Sequence, residues 1–144
     1  MIYYLIASIL IAVAALFART KRAVLAAGIL FYAVQIAAAG LLLWGGLYDT
    51  TSAAFFTFDA LGTLFYLLLV VVSMYVFGHS EAYLQGEDLR SYRLYFALLM
   101  LLTTAIAGAY FANNLAVTWI FLEATTLCSA GIVYHRRTAQ ALEA

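Results

Sequence analysis

Proline, cysteine and charged side chains are scarce in this sequence. It contains no proline and one cysteine, and Lys, Arg, Asp and Glu make up 10% of its 144 residues, against about 25% in a typical soluble domain. The one cysteine, Cys128, excludes an internal disulfide. The sparse charge and the formal net charge of zero argue against nucleic acid as a partner.

Recognisable catalytic, metal and cofactor motifs are also missing. The sequence has no Gly-rich phosphate loop and no Ser-His-Asp set, and its connectors are too short for an extramembrane domain, which argues against an autonomous enzyme. The two histidines, His79 and His135, fall at the ends of apolar runs without a partner at metal or haem spacing. We therefore predict no bound cofactor and no metal.

Long apolar runs dominate what is present, because 67% of the residues are hydrophobic. Five runs are long enough, with their flanking residues, to be transmembrane helices: about 2–18, 23–44, 54–77, 93–112 and 114–134. The polar connector 78–92 is predicted to be a loop, with a surface helix as the alternative. The turn at Asn113 and Asn114 is so short that the last two helices should be antiparallel neighbours. The sequence thus predicts an all-α membrane protein with five transmembrane helices in one unit.

The Lys and Arg residues predict how these helices are oriented. All seven follow the first, third or fifth run: Arg19, Lys21, Arg22, Arg90, Arg93, Arg136 and Arg137. Basic residues in short loops accumulate on the cytoplasmic side of a membrane. We therefore expect the N-terminus outside and the C-terminus in the cytoplasm, with the protein in the inner (cytoplasmic) membrane of a cell.

One carboxylate, Glu123, interrupts the last apolar run. It lies nine residues after Asn114 and twelve before His135, so a helix would hold it roughly 14 Å from one end and roughly 18 Å from the other, near the middle of a bilayer. An ionised carboxylate there costs about 2.5–3.5 kcal/mol on insertion scales, and such residues normally face a partner or water and belong to ion or proton pathways. The alternative is a protonated glutamate that joins two helices through a hydrogen bond.

The helical neighbours of Glu123 favour an inward-facing position. Residues at spacings of three, four and seven share its side of the helix: Ala116, Trp119, Ile120, Thr126, Leu127 and Ala130. The alanines leave room for another helix or for water, and the Thr126 hydroxyl is expected to bond to the carboxyl or to such a water.

A second carboxylate, Asp59, falls near the outer end of the third run, in FFTFDALG. A helix N-terminus favours a carboxylate through its dipole and free amides, and the sequence supports this interpretation as well as a functional one. Asp59, Gly62 and Tyr66 form one polar or small stripe that could border a helix contact.

The last two runs, YFALLMLLTTAIAGAYFANNLAVTWIFLEATTLCSAGIVYHRR, and the preceding FTFDALGTLFYLLLVVVSMYVFGHSEAYL resemble the N-terminal part of the antiporter-like membrane subunits of respiratory complex I. The same family occurs in group 4 membrane-bound hydrogenases, formate hydrogenlyase and multisubunit cation/proton antiporters, and the hydrogenase branch is the most similar. Its W-x-x-x-E element matches Trp119 and Glu123, which implies that Glu123 belongs to a proton path. Trp119, Thr126 and Asp59 are the candidate supporting residues.

The resemblance also implies what this sequence does not contain. Members of that family have more spans and a lysine on a later helix that pairs with the glutamate, whereas here all seven basic residues lie at span ends. We therefore expect an N-terminal piece or a split form of such a subunit. It would be a non-catalytic, proton-translocating part of a complex I-like or hydrogenase-type oxidoreductase, assembled in the lipid bilayer with other membrane and redox subunits. The alternatives are a subunit of a cation/proton antiporter and a membrane anchor or assembly protein that transports nothing.

Overall fold

The computed structural model describes residues 1–45, 55–84 and 86–134, and within them the chain forms five α-helices. Their bounds are α1 Ile2–Leu16, α2 Lys21–Leu43, α3 Ala60–Tyr83, α4 Leu89–Phe111 and α5 Leu115–Val133. Helices α2 to α5 have the length and apolar composition of membrane-spanning helices, whereas α1, with 15 residues, is shorter. This confirms the predicted all-α membrane protein, while the orientation and the number of spans stay predictions.

The bundle has two ends, which we call upper and lower; the upper end contains the starts of α1, α3 and α5. Here residues 55–58 run alongside the end of α4. The Thr57 N–H donates to the Phe111 carbonyl at 2.8 Å, and the Asn113 N–H donates to the Phe55 carbonyl at 2.8 Å. This extended segment occupies positions that the sequence assigns to the third helix, which instead begins at Ala60. The predicted start at residue 54 lies outside the described residues.

At the lower end, helix occupies most of the connector 78–92, so the loop interpretation is wrong. The helical residues continue α3 and α4 and do not form a separate surface helix. Helix α3 continues to Tyr83, and α4 begins at Leu89. Residues 78–83 are polar, but they include no proline and no β-branched side chain that would oppose a helix. The Ser80 hydroxyl bonds to the Val76 carbonyl at 2.7 Å and lies 2.9 Å from the Tyr95 hydroxyl, which ties the added turn of α3 to α4.

Helix α4 lies at the centre of the bundle. It packs against each of the other four helices, and eleven of its residues are buried. In the lower half, Phe96 and Met100 share a core with Phe31 of α2. In the upper half, Phe111 shares a second core with Tyr66 of α3. The predicted pairing of the last two helices is confirmed, since α5 packs along α4 after a short turn.

Candidate functional site

Helix α5 is held against the bundle by one side. Phe121 packs on Gly108 of α4, where an added Cβ atom would collide with the phenylalanine ring. Gly131 makes room for Leu98 of α4, because a Cβ at Gly131 would lie 2.8 Å from Leu98 Cδ1. At 3.6 residues per turn these two contacts lie about 80° apart around α5, so α4 covers a broad part of its circumference. None of the residues in α5 is fully buried, so the rest of its surface is open.

Glu123 lies on the side of α5 opposite Phe121, in a stripe of exposed side chains. The other members of this stripe are Ala116, Trp119, Ile120, Thr126, Leu127 and Ala130. The stripe is the one that the sequence predicts, but the predicted inward-facing position is wrong within the described chain. Helix α4 packs on the face that carries Phe121, since Gly108 lets that ring approach closely, and this leaves Glu123 pointing away from α4.

The Glu123 carboxyl receives one hydrogen bond from its own helix. The Trp119 indole N–H, one turn earlier, donates to Glu123 Oε1 at 2.8 Å. The Thr126 hydroxyl donates to the backbone carbonyl of Glu123 at 2.8 Å and not to its carboxyl, while the alternative bond to a water stays a prediction. The hydroxyls of Thr125 and Ser129 likewise bond to carbonyls of their own helix. The indole therefore orients the carboxyl, and the hydroxyls of Thr125, Thr126 and Ser129 do not bond to it.

A shallow groove of about 560 Å³ runs past this carboxyl. Besides Trp119 and Glu123, its lining is small or aliphatic: Ala116, Ile120, Ala124 and Leu127. Small side chains on such a surface allow another transmembrane helix to approach closely. A carboxylate facing lipid is costly unless it is protonated or paired. The groove thus presents a carboxyl that can hold a proton or accept a donor from another molecule.

The basic side chains of the described residues lie far from this carboxyl. All five belong to the lower end of the bundle: Arg19, Lys21, Arg22, Arg90 and Arg93. Lys21 Nζ donates to the Glu87 carbonyl at 2.7 Å, and the Arg93 guanidinium donates to a carbonyl of the α1–α2 connection at 3.0 Å. Glu123 is ten residues, roughly 15 Å along α5, from its lower end. Within the described chain, the side chain that hydrogen-bonds to the Glu123 carboxyl is Trp119.

Asp59 forms the N-cap of α3 and does not join Glu123. Its Oδ1 accepts from the Gly62 N–H at 3.0 Å, and its backbone carbonyl accepts from the Thr63 hydroxyl at 2.7 Å. An added Cβ at Gly62 would lie 3.1 Å from the Tyr110 carbonyl, so the glycine allows α3 to approach α4 closely. Tyr66, next on this stripe, is buried. The interpretation of Asp59 as a residue at a helix N-terminus is confirmed. The prediction that the stripe of Asp59, Gly62 and Tyr66 borders a helix contact is also confirmed, because this stripe meets α4.

A buried polar cluster between α1, α2 and α3 was not found from the sequence. The Tyr4 and Tyr66 hydroxyls both donate to Gln35 Oε1, at 2.6 and 2.7 Å. Ser8 lies one turn after Tyr4, beside its hydroxyl, and both Ser8 and Gln35 are fully buried. The signal in the sequence is the one amide within the apolar part of α2, with tyrosines on two neighbouring runs. The search of the sequence for functional residues considered ionisable side chains first, and these groups are neutral.

A cavity of about 200 Å³ opens at the upper end, next to this cluster. Its lining includes Tyr4 and Tyr66 together with apolar side chains such as Leu42, Phe58 and Phe111.

As to metals, no three His, Cys, Asp or Glu side chains come together as a potential metal site among residues 1–45, 55–84 and 86–134.

Comparison with known proteins found no relative of this chain. No protein-family model, no curated protein and no solved structure matches this chain.

Proposed function

We propose that this chain is a proton-translocating membrane subunit, or part of one, of a complex I-like or hydrogenase-type oxidoreductase. Glu123 would lie in the proton path, and the redox chemistry would take place on partner subunits. The membrane would be the inner (cytoplasmic) membrane, with the N-terminus outside. The observation that carries this proposal is the exposed pair of Glu123 and Trp119 at the middle of α5, joined at 2.8 Å.

The depth of Glu123 supports a role in proton transfer. It lies eight residues from Leu115 and ten from Val133, or roughly 12 and 15 Å from the two ends of α5. In a helix that crosses the membrane, these distances correspond to a position near the centre of a hydrocarbon core about 30 Å thick. A carboxyl at this depth is costly to ionise in lipid, and groups of this kind mark proton and ion pathways. The indole bond keeps one carboxyl oxygen in a fixed place, as a transfer step requires.

The open face of α5 supports assembly with another membrane subunit. Ala116 and Ala130 flank the carboxyl on the exposed stripe, so a partner helix could pack closely against it. Such a helix would remove Glu123 from lipid. The basic side chains of the described residues all lie at the lower end of the bundle. A basic side chain on the partner helix would therefore supply a cation beside Glu123.

Two alternatives use the same features. In a cation/proton antiporter subunit, the carboxyl would also exchange protons, but no redox subunits would be present. In a membrane anchor or assembly protein, a protonated Glu123 would hold a partner helix through a hydrogen bond and would transport nothing. The partners and the transport activity distinguish these three functions.

Isolation of the native assembly identifies the partners. The tagged chain is purified in mild detergent from its own membrane, and the co-purifying subunits are identified by mass spectrometry. Subunits with iron–sulfur or nickel–iron centres support the oxidoreductase, whereas further antiporter subunits without redox centres support the second function. A well-folded chain that purifies alone, with the same melting behaviour as in the membrane, contradicts both and supports the anchor.

Substitution of Glu123 tests the proton path in that assembly. Glu123→Gln keeps the size and a hydrogen-bonding head group but removes the exchangeable carboxyl proton. We expect proton uptake by reconstituted vesicles to fall about a hundredfold, the scale of a lost acid–base group, with the assembly intact. Trp119→Phe should reduce uptake by a smaller factor, because it removes only the indole N–H.

Matched controls separate proton transfer from helix packing. Glu81→Gln makes the same change at an exposed position near the lower end of α3, and Trp44→Phe makes the aromatic change at the end of α2. Both should leave uptake unchanged. Full transport by Glu123→Gln, in an assembly shown to pump, would mean that this carboxyl only joins helices.

A further inference from the structure

The buried cluster of Tyr4, Ser8, Gln35 and Tyr66 contains polar atoms that the protein does not satisfy. Both tyrosine hydroxyls donate to Gln35 Oε1, and the Tyr66 hydroxyl also lies 3.1 Å from the Gln35 backbone carbonyl. Among the described residues, no group hydrogen-bonds to Gln35 Nε2, and the Ser8 hydroxyl lies beside the Tyr4 hydroxyl without a well-formed hydrogen bond. Both side chains have no exposed surface. Buried polar groups in folded proteins almost always have a partner, either protein or ordered water.

The unsatisfied groups have a definite hydrogen-bonding chemistry. Gln35 Nε2 carries two donors, and the Ser8 hydroxyl carries one donor and two lone pairs. The Tyr4 and Tyr66 oxygens give their protons to Gln35 Oε1, so their remaining capacity is to accept. A ligand for this cluster must therefore accept from the amide and donate to a hydroxyl oxygen. It must also be small, because the cluster is enclosed by α1, α2 and α3.

Water is the molecule that meets these requirements. A buried water typically makes about three hydrogen bonds to groups that would otherwise be unsatisfied, and it needs a polar site with two to four partners. We propose that Gln35, Ser8, Tyr4 and Tyr66 form a binding site for ordered water in the upper half of the bundle. The bound water joins α1 to α2 and α3, and this site is independent of the function proposed for Glu123.

The position of the site gives water a route to it. Gln35 lies eight residues before the end of α2, and Tyr66 lies six residues after the start of α3, so the cluster is roughly 9–12 Å from the upper end of the bundle. The upper cavity, about 200 Å³, is lined by Tyr4 and Tyr66. The two rings meet edge to face at 6.1 Å, and their hydroxyls bond to Gln35, which does not itself line the cavity. Movement of one tyrosine ring would connect the cavity with the amide.

Water-edited solid-state NMR of the full chain in lipid bilayers tests the proposal directly. The protein is labelled with ¹⁵N, and the side-chain amide of Gln35 is assigned by its disappearance in Gln35→Met. We expect water magnetisation to reach this amide about tenfold faster than it reaches the backbone amides of Val70 and Ala107, which lie in the apolar upper core. This comparison within the wild-type protein does not depend on the folding of a variant.

Two serine substitutions test which residues hold the water. Ser8→Val fills the space beside Tyr4 with methyl groups, and we expect the Gln35 amide to lose its transfer from water. Ser73→Val makes the same change at a buried serine whose hydroxyl bonds to the Val70 carbonyl of its own helix, and transfer should remain. The proposal is overturned if the wild-type Gln35 amide receives no water magnetisation, if it receives magnetisation from lipid chains instead, or if transfer persists unchanged in Ser8→Val.

Discussion

The contact between α4 and α5 provides a sharp test of how α5 is placed. Gly108→Ala adds one methyl group at a point where it would collide with the ring of Phe121. Gly40→Ala makes the same change in α2, at a position where nothing lies within 4 Å of the added atom. Both glycines lie inside helices, so the change in helix propensity is the same at the two sites. The difference between the two variants therefore measures packing alone.

The expected free energies have opposite signs. Replacing glycine by alanine inside a helix stabilises it by about 0.5–1 kcal/mol, which is the effect expected for Gly40→Ala. Inserting a methyl group into a closely packed contact typically costs about 1–3 kcal/mol. For Gly108→Ala the packing cost opposes the gain in propensity, so we expect a net destabilisation of about 1 kcal/mol. The double substitution with Phe121→Leu removes the ring and should recover most of this loss.

Reversible unfolding in mixed detergent micelles, followed by circular dichroism, measures these differences. The two single variants and the Gly108→Ala/Phe121→Leu pair are compared in one detergent, so that any effect of the micelle is common to all. A Gly108→Ala protein as stable as Gly40→Ala would show that Phe121 does not occupy the space above Gly108. The packed face of α5, and with it the outward position of Glu123, would then be wrong.

Two other predictions concern the orientation and the start of α3. In a Cys128→Ser background, Asp88→Cys in the lower connector should be labelled by an impermeant thiol reagent from the cytoplasmic side. Asn113→Cys at the upper end should be labelled from the opposite side. Labelling of both cysteines from the same side would contradict the predicted orientation of the five helices. Asp59→Ala should lower the free energy of unfolding by about 1 kcal/mol, because Gly62 N–H loses its acceptor, whereas Asp59→Asn should be nearly neutral; equal effects of the two changes would contradict the capping role.

Hydropathy and spacing predict the helices of this protein well. The five apolar runs correspond to five helices, since long apolar stretches have few alternatives to a helix whose backbone groups are all paired. The short turn after Ala112 correctly predicts that α4 and α5 are neighbours. Spacing also identifies the stripe around Glu123, because side chains on one side of a helix are fixed by its periodicity alone.

Which side of a helix faces its neighbour depends on packing that the sequence does not display. Around α5, small residues occur both in the exposed stripe of Glu123, at Ala116 and Ala130, and at the contact with α4, at Gly131. The deciding feature is Gly108 on α4, which creates a recess for Phe121. The polar cluster was missed for a related reason. Its members come from three helices, and only their assembly shows that Gln35 lies between two tyrosines.

The short length of α1 has a consequence for the surrounding lipid. Its 15 residues extend about 22 Å, whereas the hydrocarbon core of a bilayer is about 30 Å thick and α3, with 24 residues, extends about 36 Å. A hydrophobic helix that is too short draws the lipid head groups inward and thins the bilayer beside it. Along α1 this mismatch of about 8 Å is shared by the two leaflets, so each aqueous boundary lies about 4 Å closer to the midplane, while the membrane beside α3 remains thick. The protein is therefore expected to sit in a locally tapered bilayer, with the thin side at the helix that carries Tyr4 and Ser8.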